Sequence, residues 1–414
     1  MLKHIRNILF IFIGMVAAGY LALVCVYTLP IGPIQKNVAE AANIMQMDGS
    51  HPELVYGHQD TMLDNLTDSI MLLTARYEGT ESVFEEALLN NRFTVNGLMD
   101  SEVLAVEAEG EELDGTESSY GRYWHGYLLY VKPLLMVLNY GQIRYFVGAV
   151  QFALLVLVLY LFVKTNKEKH VLPFTVAYLF LNPAALSLSL QYFPASVITM
   201  IEFVVILINQ EKYKINPIRW IYHFFIVGCL IAYFDFLTFP LLTLGMPLVF
   251  LMVENQKTIK RDSLLFAKSC AAWGIGYASM WGSKWILGSL LTKKNMLADA
   301  IGQVLFRVGA AENEVKTSAI EAIMRNIGAN KLYLLLTISV FFGIILYKIL
   351  KKENINLKSV NISVLLCAIL PFLWYMVVSN HSYIHYWFTY RILAISIYAI
   401  LIFATTIFCK RERG

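Results

Sequence analysis

The chain has 414 residues, 57 % of them hydrophobic and 14 % aromatic, and a formal net charge of +3. Its apolar residues come in blocks, which excludes an ordinary soluble domain and predicts an all-α polytopic membrane protein, a single membrane domain over 1–414. Lys and Arg gather at the ends of those blocks, so the charge marks topology and no basic domain remains for nucleic acid.

A membrane-crossing helix needs roughly 20 mostly apolar residues. Ten stretches meet or approach this: 8–29, 143–163, 171–189, 194–209, 219–236, 238–253, 264–287, 331–349, 360–379 and 388–408. The first follows Lys3, His4 and Arg6 as a signal peptide would. It ends in Tyr27-Thr28-Leu29-Pro30 without a small-residue cleavage pattern, so it is read as a retained helix.

Between the first two spans lies 30–142, far longer than a connection requires. At about 100° per residue, residues 60–77 read as an amphipathic surface helix, with Met62, Leu66, Ile70, Leu73 and Tyr77 on one side and Asp60, Asp64 and Asp68 on the other. Asp60 is expected as the N-cap and Asp64 near the positive end of the helix dipole. Asp68 lies too deep for either explanation, and Asp is a poor helix-interior residue. An outward carboxylate can serve as a general base or hold a divalent metal.

Residues Asp100 to Glu117 are dense in acid and poor in aromatics, which predicts a mobile solvated excursion. In the following Tyr120-Gly-Arg122-Tyr-Trp-His125-Gly-Tyr127, Arg122 and His125 suit a phosphate clamp. Tyr123, Trp124 and Tyr127 suit an interfacial aromatic belt. The apolar run 126–139 is too short to span and contains Pro133, so it predicts an interfacial or re-entrant helix feeding the second span.

Further along, Glu202 stands near the middle of the fourth span, where an acid marks a relay or a transporter's coupling site, or is neutralised by hydrogen bonds. Asp235 sits in the turn Tyr233 to Pro240 and either caps it or adds a carboxylate to the outer side. Lys284, between Trp281 and Trp285, either meets a lipid phosphate or snorkels. His381 and His385 are four apart in the last connection and share a helical face, as partners for a sugar or phosphate or as part of a metal site. Arg391 lies a turn inside the last span, where charge is costly unless functional, paired or snorkelling. The five cysteines, Cys25, Cys229, Cys270, Cys367 and Cys409, lie in or beside spans and imply no disulfide framework or zinc site.

Basic residues fix the orientation. Lys164, Lys167 and Lys169, then Lys212, Lys214 and Arg219, then Lys257, Lys260 and Arg261, then Lys348, Lys351, Lys352 and Lys358 occupy alternate loops, with Lys3, Arg6, Lys410, Arg411 and Arg413 at the termini. The connections 188–195, 236–239 and 380–387 hold no Lys or Arg. Both termini are therefore expected in the cytoplasm, with 30–142 and 288–330 outside.

This plan resembles the integral-membrane glycosyltransferases of the GT-C fold, which have many spans and a large first extracytoplasmic loop of membrane-surface helices carrying an acidic catalytic residue. The resemblance covers the whole chain as architecture and is specific at Asp64-Asn65-Leu66-Thr67-Asp68. It implies transfer of a sugar from a polyprenyl-phosphate-linked donor to a glycan, lipid or protein acceptor outside the cell membrane, with Asp64 or Asp68 as base. Many such enzymes have adjacent acids early in the loop; here Glu53 has no acidic neighbour and the Asp residues are four apart, so the choice between Asp64 and Asp68 stays open.

The chemistry asks for one base and for cationic groups at the departing phosphate. Asp60, Arg122, His125, Asp235, Lys284, His381, His385 and Arg391 are the candidate binding residues for sugar and phosphate. A divalent Mg or Mn ion on Asp64, Asp68, His381 or His385 is an open alternative to metal-free chemistry. The competing functions are a transporter or lipid-linked-sugar flippase working through Glu202, and a glycan polymerase or ligase built on Arg and His.

Overall fold

The computed structural model describes residues 2–108, 114–310, 317–355 and 363–409. Residues 109–113 of the predicted acidic excursion, Lys358, and the terminal Lys410, Arg411 and Arg413 lie outside the described residues.

The chain is mostly helical. α1 (Leu2–Tyr27) leads into a layer of short helices, α2 (Ile31–Ala39), α3 (Ala42–Asp48), α4 (Asn65–Arg76), α5 (Val83–Leu89), α6 (Asp100–Ala108) and α7 (Leu128–Leu135). The bundle follows with α8 (Tyr140–Lys164), α9 (Val171–Phe180), α10 (Pro183–Leu188), α11 (Phe193–Ile208), α12 (Gln210–Ile215), α13 (Ile218–Phe234), α14 (Leu242–Glu254) and α15 (Ile259–Leu291). It is completed by α16 (Met296–Arg307), α17 (Ala319–Ala329), α18 (Lys331–Leu350), α19 (Ser363–Val377), α20 (Ser379–Ile384), α21 (Tyr386–Thr389) and α22 (Ala394–Thr406).

Among the described residues, five helical stretches are long and apolar enough to cross a membrane: Leu2–Tyr27, Tyr140–Lys164, Leu190–Ile208, Lys331–Leu350 and Tyr386–Thr406. Ile218–Phe234, Leu242–Glu254 and Ser363–Val377 are shorter apolar helices. Only 11 % of the apolar window of α1 and of α18 is buried within the protein. Helices that are apolar all round and yet unburied need a hydrocarbon solvent, as a lipid bilayer provides.

The predicted span 171–189 is broken. Asn182 takes a left-handed conformation (φ 58°) and its side chain caps Ala185 N, while Pro183 follows at the start of α10, so α9 cannot continue. The excursion is also more ordered than its composition suggests. β1 (Asn91–Thr94) pairs antiparallel with β2 (Thr116–Ser119) at its base. Within it, α6 buries Val103 and Leu104, and Arg92 Nε donates to Asp100 Oδ1 at 2.7 Å. Two acids in the first turn of that helix, Asp100 and Glu102, are favoured by its dipole, and its apolar side found α3 and α4 to pack on.

Two ends of the bundle are distinct. At one, Glu254 accepts from His170 Nε2 (3.0 Å), Lys169 Nζ (2.9 Å) and Lys167, and His4 Nδ1 meets the Tyr222 hydroxyl at 2.8 Å, so several predicted basic loops gather there. The short-helix layer covers the other end. Between them α13 and α15 touch backbone to backbone: a Cβ on Gly228 would stand 2.2 Å from Trp273 O, and one on Gly276 2.2 Å from Phe225 O. Small residues permit such an approach between apolar helices.

Candidate functional site

The segment before α4 folds back on the start of that helix. Leu66 N donates to Ser50 O (3.1 Å), Leu63 N to Pro52 O (2.9 Å), and Asn65 Nδ2 to Gly49 O (2.9 Å), where Gly49 has φ 72°. These bonds carry His51 to the N-terminus of α4, with its Nε2 3.8 Å from Asp64 Oδ1.

The helix begins at Asn65, so Asp64, and not Asp60, is its N-cap: Oδ1 accepts from Thr67 N at 2.9 Å. Asp60 lies in a separate one-turn 3-10 helix, Gln59–Thr61, and the three acids do not share a helix face. The predicted polarity fails at the acids, although Leu73 of the expected apolar face is buried. Asp64 is 2 % exposed and Asp68 fully buried, while Met62, Leu66 and Ile70 of the expected apolar face are only partly covered. The apolar stripe found partial cover, whereas the carboxylates found donors inside, and buried donors outbid solvent for a carboxylate.

The two acids differ in what remains free. Asp68 accepts from Tyr140 OH (2.6 Å) and Leu190 N (2.9 Å) on Oδ2 and from Gln191 N (3.0 Å) on Oδ1, with Arg144 nearby donating to the same Tyr140 hydroxyl at 2.6 Å. Both of its oxygens are engaged in holding α4 to α8 and to the turn before α11. Asp64 has Thr67 on one oxygen and the indole N–H of Trp387 beside it. Burial pushes Asp64 up to about 6, against the opposing pull of Thr67 and Trp387. Burial likewise brings Asp68 to about 6, against the Arg144 charge and its donors. Of the two, Asp64 has the oxygen to spare for a proton.

From Asp64 a path of rings leads to the last connection. His51 lies 5.1 Å from Trp387, Trp387 5.2 Å from His385, and His385 4.8 Å from His381, centroid to centroid. His381 Nε2 donates to Leu237 O at 2.7 Å, whereas His385 Nδ1 is buried with no partner. Burial, then the charges of Arg307 and His51, lower His385 to about 4, so it stays a neutral imidazole near pH 7. Burial lowers His381 further, with the charges of His385 and Arg307 adding to it.

Arg307, at the end of α16, completes the cluster. It bonds the Tyr123 hydroxyl and lies over the rings of Tyr123 (5.5 Å) and Trp281 (5.8 Å). Among the described residues no carboxylate lies within 4.0 Å of it. A half-buried guanidinium with aromatic walls and no acid is suited to an incoming anion.

The other expected residues are committed elsewhere. Arg122 already holds Asp299 through both carboxylate oxygens (3.1 and 3.2 Å), so it is neutralised as a phosphate clamp. His125 is buried at φ 54°, bonded to Tyr120 O (2.9 Å) and Tyr127 OH (3.0 Å), and burial lowers its pKa well below the usual imidazole range. Asp235 caps its own turn through Thr238 N (2.8 Å). Lys284 is buried rather than snorkelling, and donates to Asn90 Oδ1 (2.8 Å) and Ala87 O (3.1 Å) of the loop layer. Arg391, fully buried, donates to Leu181 O (2.7 Å), Trp387 O (2.9 Å) and Asp60 O (3.4 Å). It fixes the backbone of Asp60 and Trp387 without touching a substrate position itself. The Asp60 side chain is 18 % exposed, 3.9 Å from His58 and beside a cleft of about 590 Å³.

Three residues of this cluster escaped the sequence reading: His51, Arg307 and Trp387. None has a local period or motif; each acquires meaning only from a tertiary neighbour. Among the described residues no three His, Cys, Asp or Glu side chains converge. With Asp68 fully engaged and His381 bonded to a carbonyl, the set foreseen for Mg or Mn does not fit a divalent ion, so no step is routed through one. No family model, curated protein or solved structure matches the chain.

Proposed function

We propose that this protein is a membrane glycosyltransferase that moves a sugar from a polyprenyl-phosphate-linked donor to a glycan, lipid or protein acceptor, with Asp64 as general base. Ten spans, cytoplasmic termini and an extracytoplasmic site in the cell membrane are part of the same reading. The acceptor hydroxyl gives its proton to Asp64 while its oxygen attacks the anomeric carbon. The bond from that carbon to the phosphate oxygen breaks, and the lipid phosphate leaves with the electron pair. Arg307 stabilises the departing charge, and the neutral His385 is free to hydrogen bond the sugar or the phosphate.

The observation that supports this most is the Asp64 carboxylate, raised to about 6 and sharing one cluster with a guanidinium that has no acidic partner among the described residues. A base poised near the working pH is what proton abstraction requires. The transport reading draws on Glu202, yet that residue bonds His223 at 3.1 Å and lines a separate groove far along the chain from this cluster.

The test is sugar transfer from a synthetic polyprenyl-phosphoryl sugar by the purified protein in lipid. Asn caps a helix as well as Asp does, so Asp64→Asn should fold and lose about 10²- to 10⁴-fold in rate. Undiminished transfer by Asp64→Asn would remove Asp64 as the base; transport lost on Glu202→Gln, with no transfer by the wild type, would favour the transporter.

A further inference from the structure

Along α11 and α13 runs a groove of about 570 Å³ whose mouth, at Arg219, is at the bundle end opposite Asp64. Its walls are apolar, formed by residues such as Ile198, Val205, Leu230 and Phe234, and it faces outward: Ile201 is 47 % and Val205 39 % exposed. In a membrane that outward side is lipid.

The groove is not plain hydrocarbon. Glu202 is 3 % exposed and lines it, with Oε2 3.1 Å from His223 Nε2; His223 Nδ1 in turn meets the Tyr213 hydroxyl at 2.9 Å. The second carboxyl oxygen, Oε1, is buried and has no partner. An unpartnered polar atom in an apolar wall is costly to keep. Glu202 lies six residues before the end of α11, roughly 9 Å along the helix. At the mouth stands Arg219, exposed, with no carboxylate within 4.0 Å among the described residues. Lys212 and Lys214 flank it in sequence on α12.

We propose that this groove binds one anionic glycerophospholipid from the leaflet at the basic end, with its phosphate on Arg219, its ester level beside Glu202, which carries its proton on Oε1 and donates it to an ester oxygen, and one acyl chain between α11 and α13. The order of groups matches the order in the lipid: charge at the mouth, then a hydrogen-bonding group about 6 Å deeper, the rise of the four residues of α13 from Arg219 to the Glu202 partner His223, then hydrocarbon to Phe234. A zwitterionic lipid offers Arg219 a phosphate already balanced by its own ammonium, so the anionic lipid is preferred. This site is separate from the proposed transferase cluster and does not depend on that reading.

The test is native mass spectrometry of the full chain released from nanodiscs of equal phosphatidylglycerol and phosphatidylcholine. The wild type should retain one phosphatidylglycerol at least fivefold over phosphatidylcholine. Arg219→Gln, an exposed change that leaves the fold intact, should abolish that preference, and Val205→Trp, which fills the groove, should abolish retention of both lipids. Equal retention of the two lipids by the wild type would overturn the proposal. So would an Arg219→Gln protein that keeps the preference, or a folded Val205→Trp protein that still holds the lipid.

Discussion

Tyr140 donates its hydroxyl to Asp68 Oδ2 at 2.6 Å and receives Arg144 on the same oxygen at 2.6 Å. Through this pair the loop helix α4 is locked to α8, and the backbone N–H groups of Leu190 and Gln191 close the other side of the carboxylate. Asp64, one turn away, inherits its position from that lock.

Asp68→Asn should therefore act on stability before it acts on chemistry. The amide presents a donor to a backbone N–H where the carboxylate accepted one. Hydrogen bonds to charged groups are worth about 1.5–3 kcal/mol, and a mismatched buried donor adds to the loss. A loss of about 3 kcal/mol is expected for Asp68→Asn and about 1 kcal/mol for Tyr140→Phe, read by denaturant unfolding in one detergent. Unchanged stability in both would show that the lock is not there.

The pH dependence of transfer follows from Asp64. Its charged form is the base and burial raises its pKa to about 6, so the rate should fall tenfold per pH unit below about 6 and level off above it. The sign for stability is opposite: with the folded pKa above the unfolded value of 3.8, Asp64 contributes stability below that value, and the contribution is lost as pH rises through about 6. Asp64→Asn should thus be as stable as the wild type at pH 8 or slightly more so, while losing transfer. A rate profile flat from pH 5 to pH 8 (about 10-fold expected at the acid end) would argue against Asp64 as the titrating group.

Arg307 and Arg122 should separate cleanly. Arg307 has aromatic walls and no described acid, whereas Arg122 is spent on Asp299. Arg307→Gln is expected to lower kcat/KM about 100-fold, and Arg307→Lys about 10-fold, because an ammonium keeps the charge but not the planar fork. Arg122→Gln should change it less than about 3-fold, since an ion pair this exposed contributes little. A larger loss at Arg122 than at Arg307 would move the phosphate to the other end of Tyr123.

Apolar periodicity and length made the helices legible, because a bilayer-sized run of Leu, Ile and Phe has few alternatives to a helix. Each of the ten stretches contains helix, and the break in 171–189 was written in Asn182-Pro183. The site was legible only in part. Asp64 stood out by its spacing, but periodicity gave α4 one turn too many and turned its face outward, because it counts apolar residues and cannot see donors waiting across the fold. Tyr140, Leu190 and Gln191 are what draw Asp68 inward, and they lie 72 to 123 residues away. Arg307 and His51 were invisible for the same reason.

The contact of α13 with α15 offers a test of the bundle that is independent of any activity. A Cβ on Gly276 would meet Phe225 O at 2.2 Å, and one on Gly228 would meet Trp273 O at 2.2 Å, so in both cases the obstacle is backbone, which cannot rotate aside. Overpacking a tight contact costs about 1–3 kcal/mol, and Gly276→Ala and Gly228→Ala should each lie at the upper end of that range. Gly274, two residues from Gly276 on α15, has nothing within 4 Å of its would-be Cβ. Gly274→Ala should therefore stabilise by about 0.5–1 kcal/mol through the lower helical cost of alanine. Thermal unfolding of the three variants in one detergent reads the contrast, and three equal shifts would mean that α13 and α15 do not meet at these glycines.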